Sequence, residues 1–400
     1  MARQIVVGID IGTSQIKVVV AEGLIEHGHS TPKIIGTGVA ESRGIYRGYI
    51  NNPEEAARSV RSAVTRAEKV AGVKIRRAYV SFGGLGLGSV STTGSVVISR
   101  ADLEITERDL ASVLEIAEAA IPKAASINKR IINTVPIEYK IDGKPVWGQA
   151  LGLKAQKLEV KALFITCLEH HLSLLINTVE EAGIEVVDVV AAPVAAGFVT
   201  VSKRQKRVGC LLADLGTETL SIVVFENSNL ISLEVFPIGG NDITSDIALG
   251  LKLSLEDAEN IKVGNDRRGS YSKKKLDEII EARLGDCFEL IERHLKSIGR
   301  DELLPAGIIL TGGGAAITNI KSIAEEYLRL PAQVAEIHFS NTQEGKIKDG
   351  SWAVACGLSV VGFNADNEQH AIGIRNGTLL TEGGKRWGKM ILRWFYQFLP

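Results

Sequence analysis

Excess charge, paired thiols and long apolar runs are all missing from this sequence. Lys and Arg number 46 against 47 Asp and Glu, a formal net charge of −1. No lobe is strongly basic enough to follow a phosphate backbone, which argues against a nucleic-acid protein. Cysteine occurs at Cys167, Cys210, Cys287 and Cys356 only. These show no C-x-x-C pair and no metal-ligand spacing, so buried, reduced thiols in a cytosolic protein are expected. No apolar run approaches the ~20 residues that a bilayer-spanning helix needs. The chain enters a β-forming run at once, and no secretory leader is expected.

What the chain does have is bulk and a repeated turn. Its 400 residues, 45% hydrophobic, can bury a large core and suggest two or more domains. From Ile5 to Val20, β-formers run up to Asp10, turn at Gly12, Thr13 and Ser14, and resume at Ile16. This predicts a hairpin whose tip offers backbone N–H groups and small hydroxyls to phosphate, beside a carboxylate suited to the accompanying metal. An ordinary hairpin would read the same way. The pattern returns at Cys210–Glu226, where Asp214, Gly216 and Thr217 follow Asp10, Gly12 and Thr13 at one constant offset. Two such hairpins predict duplicated lobes closing on one nucleotide from two sides. Lys17, beside the first turn, and Glu218 and Thr219, in the second, join the candidate phosphate contacts.

Between the hairpins, Asn52, Pro53, Glu54 and Glu55 open a helix on a small-residue face, and Gly72 can stop it. A strand at Arg77–Phe82 runs into the glycines of 83–88, which read as a hinge into a separate module. That module has strands expected at Ser95–Ser99, Lys129–Ile141 and Val160–Thr166, and a capped helix from Glu107 to Ala120. It holds no cluster of catalytic residue types, so docking is the role left to it. A helix Glu169–Ala182 and a strand Ile184–Ala191 resume the first lobe. After the second hairpin, the turn at Gly239 and Gly240 leads into a helix start of the kind that lets backbone approach phosphate; a plain strand–helix connection is the alternative. A helical stretch follows, its longest helix burying Leu276, Ile279, Ile280, Leu284, Cys287, Leu290, Ile291, Leu295 and Ile298, with Glu281 and Arg283 off that face. The strand Gly307–Leu310 ends in Thr311, Gly312, Gly313 and Gly314, which would let a flat ring or sugar lie on backbone.

The end of the chain differs in kind. Periodicity fades from Asp366 to Gly384, as in a flexible tether. Beyond it Trp387, Met390, Ile391, Trp394, Phe395, Phe398 and Leu399 form one helical stripe, with Lys385, Arg386, Lys389 and Arg393 opposite. This predicts a helix lying in a membrane interface; a terminal helix folded on the core or on a partner is the alternative. Each large side chain is worth roughly 1.5–3 kcal/mol when buried and each basic one about 1 kcal/mol on an anionic surface. Ordering the backbone consumes much of this, so one tail binds reversibly and several on a polymer bind firmly.

With these residues in place, the chain resembles the actin/heat-shock-chaperone/hexokinase ATPase superfamily and, within it, the FtsA family of bacterial cell-division proteins. The resemblance implies an α/β, actin-like two-lobed fold of duplicated ribonuclease-H-like lobes. Lobe 1 would comprise residues 1–82 and 166–192, interrupted by an α+β interaction subdomain at 83–165. Lobe 2 would comprise 193–242 and 305–365, the latter with a closing helix, interrupted by a helical subdomain at 243–304. A linker at 366–384 and a membrane-targeting helix at 385–400 would follow. It also implies ATP as ligand, with Mg²⁺ held largely through water by Asp10 and Asp214. Glu259 and Lys262 match positions that hold adenine and ribose, and Gly312–Gly314 the adenosine motif. Implied partners are further copies of the chain, the C-terminal tail of FtsZ received near Arg283, anionic inner-membrane lipids, and other division proteins on the inserted subdomain. The implied location is the cytoplasmic face of the membrane at the division site, as a peripheral protein.

Two departures bear on activity. Glu218 stands where many relatives have glycine and would crowd phosphate if it pointed inward. Ala192 stands where chaperone relatives carry a water-positioning Glu, so feeble hydrolysis, below about 1 s⁻¹, is expected. A small-molecule kinase of the superfamily would need a catalytic carboxylate and a polar substrate loop, and neither is found. The pilus-assembly relative PilM shares the frame and a related insert, and the aromatic tail argues against it.

Overall fold

The computed structural model describes residues 4–371 apart from 27–28, 147, 266–270, 338–346 and 348. The tail residues from Lys385 to Leu399 and most of the expected tether lie outside the described residues.

Lobe 1 is built on strands β1 (Gln4–Ile11), β2 (Gln15–Glu26) and β3 (His29–Glu41), a meander in which Asp10 pairs with Lys17 and Ile11 with Ile16 across the turn. A short hairpin, β4 (Ile45–Tyr46) and β5 (Tyr49–Ile50), leads to helix α1 (Pro53–Ala71). Asn52 Oδ1 accepts from the Glu55 N–H at 3.2 Å, and Gly72 ends α1 at φ 68°, the cap and stop expected. Its small face lies on β3 without clearance, since a Cβ on Gly38 would come within 2.1 Å of the Ala63 carbonyl. Strand β6 (Arg77–Phe82) then pairs in parallel with β1.

The inserted subdomain follows, with β7 (Gly88–Val97), α2 (Glu107–Ala119), α3 (Lys123–Ser126), β8 (Lys129–Ile141), β9 (Lys144–Val146) and β10 (Lys157–Leu168). Its four strands lie in the order β7-β10-β8-β9. Ile98, Val113, Leu114, Ala117, Val160 and Phe164 make a small core of their own. The subdomain leans on lobe 2 as well, through Ser89 Oγ, which donates to the Leu233 carbonyl and accepts from the Leu233 N–H. Helix α4 (Glu169–Glu181) and strand β11 (Glu185–Ala191) return to lobe 1 and complete the sheet β11-β6-β1-β2-β3. Helices α5 (Ala192–Thr200) and α6 (Lys203–Val208) carry the chain across.

Lobe 2 repeats the plan. Strands β12 (Cys210–Leu215), β13 (Leu220–Glu226) and β14 (Asn229–Phe236) form the meander, with β15 (Ile308–Thr311) and β16 (Ala332–Val334) parallel at its side, in the order β14-β13-β12-β15-β16. Helices α7 (Gly240–Leu251), α8 (Leu255–Lys262) and α9 (Lys273–Ser297) form the helical subdomain, and α10 (Ile320–Leu328) follows β15. On α9 the buried face includes Phe288 and Gly285 as well as residues of the expected stripe; Ile279, Ile280, Leu290 and Ile298 are only partly buried. All four cysteines are buried and free. Among the described residues no helix is long and apolar enough to cross a membrane.

The closing helix departs from the expected division. Helix α11 (Ala353–Ala371) includes residues 366–371, assigned above to the tether. Although lobe 2 precedes it, α11 packs into the lobe 1 core beside β1 and α5. Glycines allow this. A Cβ on Gly357 would lie 1.8 Å from the Ala195 carbonyl, and one on Gly8 2.6 Å from that of Ala355. Helix α5, held against α11 on one side, also meets β12 and β13 of lobe 2, so it lies between the lobes.

Candidate functional site

The two hairpin turns face one cleft between the lobes. At the first, Asp10 sits half-buried near the end of β1. Its Oδ1 accepts from Ser81 Oγ at 2.9 Å, and that oxygen in turn accepts from the Ile11 N–H at 2.9 Å. Burial pushes the Asp10 carboxyl up, against the opposing pull of Lys17 and the Ser81 hydrogen bond. Asp214 at the second turn is pushed up to about 7 by burial and by the charge of Asp10, with Lys17 again opposing. Both carboxyls are thus costly to ionise, Asp214 partly through the charge of Asp10, a setting that favours an added positive charge. Lys17 is itself nearly buried and donates to the Ser351 carbonyl at 2.8 Å, with its Nζ 5.8 Å from the centre of the Trp352 ring.

The lobe 2 wall is made of backbone. Gly312 (φ 83°) sits so close to the second turn that a Cβ would lie 2.2 Å from Asp214 Oδ1, whereas one on Gly313 would meet nothing within 4 Å. Only glycine combines that φ with that approach. Across from them, Lys262 Nζ reaches Glu259 Oε2 (2.6 Å), Thr244 Oγ1 (2.7 Å) and the Gly240 carbonyl (3.0 Å). Burial raises the Glu259 pKa, but Lys262 and Thr244 outweigh it and hold the carboxyl below its usual range.

The cleft measures about 1250 Å³, above the roughly 300–1,000 Å³ usual for small-molecule pockets. It is lined by Asp10, Gly12, Thr13, Ser14 and Lys17 from lobe 1, and by Asp214, Gly216, Thr217, Thr219, Gly240, Glu259, Lys262 and Gly312–Gly314 from lobe 2. Glu218 and Gly239 do not line it. Glu218 turns away toward lobe 1, where Oε2 accepts from the Arg47 N–H at 2.6 Å, so it does not crowd the cleft. Gly239 is pressed against Thr217 and Glu218 backbone. The N–H groups of Gly240 and Asn241 are spent on the carbonyls of Gly216 (2.9 Å) and Thr217 (2.7 Å), so this helix start braces the second turn instead of presenting those donors to a ligand. Arg283, outside the lining, makes a two-point contact with Asp246 (2.6 and 3.1 Å) and a third with Asp286 (3.0 Å).

Sequence reasoning missed Ser81, Ser221, Thr244, Asn241 and Ser351, all of which line the cleft. Serine and threonine at strand ends and helix starts are too common to carry a signal. Ala192, singled out for what it lacks, also lines the cleft.

Comparison with known proteins agrees with this architecture. The profile for "Cell division protein FtsA" matches residues 211–357, and that for "SHS2 domain inserted in FTSA" matches residues 84–166. Cell division protein FtsA of Bacillus subtilis is 31% identical over 370 residues, covering 87% of this chain and 82% of that protein. The chain belongs to the FtsA family. Outside FtsA the likeness is one of fold. The PilM-PilN type IV pilus biogenesis complex superposes with a TM-score of 0.66 at 17% identity, over 89% of this chain and 98% of that one. MreB5 of Spiroplasma citri bound to ADP gives 0.51 at 13% identity, over 93% and 99%. The actin-like, two-lobed α/β fold is common to these structures and to the FtsA-family chain described here.

Proposed function

We propose that this chain is an ATP-binding, polymerising cell-division protein that ties FtsZ filaments to the cytoplasmic membrane. The observation that carries the proposal is the meeting of both Asp-led turns and the Gly312–Gly314 wall on one cleft. The residues fit ATP with Mg²⁺. Asp10 and Asp214, both costly to ionise where they sit, call for added positive charge, and the space over Gly313 is open. Among the described residues no group of three or more His, Cys, Asp or Glu gathers, so an ion here would draw its other ligands from phosphate and water, as Mg²⁺ does. It would neutralise phosphate charge. Gly12–Ser14, Lys17, Gly216, Thr217 and Thr219 would hold the phosphates, and Glu259 and Lys262 the ribose and base. With Ala192 offering no carboxylate, water is left unoriented and turnover is slow.

The helical subdomain would receive the FtsZ tail. Arg283 would have to exchange Asp246 or Asp286 for a tail carboxylate. The inserted subdomain would dock other division proteins, and residues 385–400 would bind anionic lipid, firmly only when polymerisation multiplies the tails. The test is co-sedimentation of the full chain with anionic vesicles, ATP and the FtsZ C-terminal peptide. Peptide should reach the pellet only with protein and anionic lipid, and removal of Lys385–Pro400 should leave both in solution. Equal pelleting by the truncated chain, or by a strictly monomeric variant, would defeat the membrane part of the proposal.

A further inference from the structure

Glu218 leaves the cleft for a defined partner. Besides the Arg47 N–H, its carboxylate takes Asn241 Nδ2 at 3.3 Å. Arg47 and Gly48 are the tip of the β4–β5 hairpin, and both have positive φ, 48° and 74°. This is the turn geometry that matches strand twist in a two-residue hairpin. The next N–H along, that of Gly48, donates to Thr13 Oγ1 at 3.3 Å. One tip therefore touches both phosphate-side turns, in different lobes. It is also braced from behind. A Cβ on Gly48 would lie 2.5 Å from Gly84 Cα, and the Tyr49 ring stacks on His171 at 3.7 Å between centroids and 10° between planes.

We propose that Glu218 is a positioning residue that fastens lobe 2 to the Arg47 amide and thereby slows the escape of nucleotide from the cleft. The proposal rests on the nucleotide reading above. For a nucleotide to leave, the lobes must part, and parting breaks a charge-assisted hydrogen bond held at a braced point. The same carboxylate also places negative charge near the phosphate turns, which would hasten dissociation by repulsion. The two effects have opposite signs when Glu218 is removed, so rates separate them.

Stopped-flow release of a fluorescent ATP analogue from the full chain, with Glu218→Ala and Glu218→Gln, decides between them. Fastening predicts release about tenfold faster from Glu218→Ala, and a return to within about threefold of wild type in Glu218→Gln, which keeps the acceptor oxygen. Slower release from both variants, or no change in Glu218→Ala, overturns the proposal. Hydrogen exchange at the Arg47 amide, measured without nucleotide, tests the contact itself: protection should vanish in Glu218→Ala and survive in Glu218→Gln. Equal exchange in wild type and Glu218→Ala overturns it too. A wild type that binds no analogue sinks the nucleotide reading, and with it any role in retention, while the amide measurement still decides the contact.

Discussion

Asp10 and Lys17 stand opposite each other in the first hairpin, one pair before its turn, and Lys17 continues past Asp10 to the Ser351 carbonyl ahead of α11. One cation thus serves a carboxylate of the cleft and the start of the closing helix. Lys17→Ala should weaken ATP-analogue affinity about tenfold or more, because a charged contact to phosphate is lost and Asp10 ionises less readily. It should also shift the Trp352 contribution to intrinsic fluorescence. An unchanged dissociation constant would remove Lys17 from the site.

Gly312 and its neighbour offer a paired test. Gly312→Ala forces a side chain onto backbone at φ 83° and ψ 176°, a conformation essentially confined to glycine, at a cost of roughly 1–3 kcal/mol, and drives it onto Asp214. Both melting temperature and nucleotide affinity should fall. Gly313→Ala meets nothing, so it should melt with wild type and lose affinity alone. Equal affinity in Gly313→Ala and wild type would place the ligand elsewhere in the cleft.

Ala192 is the first residue of α5 and lines the cleft. Ala192→Glu supplies the carboxylate whose absence was noted in the sequence. Phosphate release should rise about tenfold or more if water orientation limits turnover; a rate equal to wild type would show that another step does.

Asp188 is buried on β11, accepts a hydrogen bond from its neighbour Val189, and is pushed by burial from 3.8 to about 7. The folded state therefore holds this proton more tightly than the unfolded chain. Stability is full below pH 3.8 and drains away as pH rises through about 7. Asp188→Asn removes the titration, so its melting temperature relative to wild type should climb from pH 5 to about pH 7 and level off above it. A constant difference across that range would show that Asp188 stays ionised throughout.

Legibility in the sequence followed distance along the chain. The α1 cap at Asn52, its stop at Gly72 and both hairpin turns depend on neighbours a few residues away, and all are found where expected. Glu218 reaches Arg47 over 171 residues, Ser81 reaches Asp10 over 71, and Lys17 reaches Ser351 over 334. No local pattern encodes those pairs. The packing of α11 on lobe 1 has the same cause. It is admitted by Gly8 and Gly357, whose missing side chains let another backbone approach. Gly239, in the turn expected to let backbone approach phosphate, lies against the backbone of Thr217 and Glu218.

Because α11 is locked against β1 and α5, the chain begins and finishes its described course in the same lobe. Whatever residues beyond Ala371 take hold of, they take hold through lobe 1.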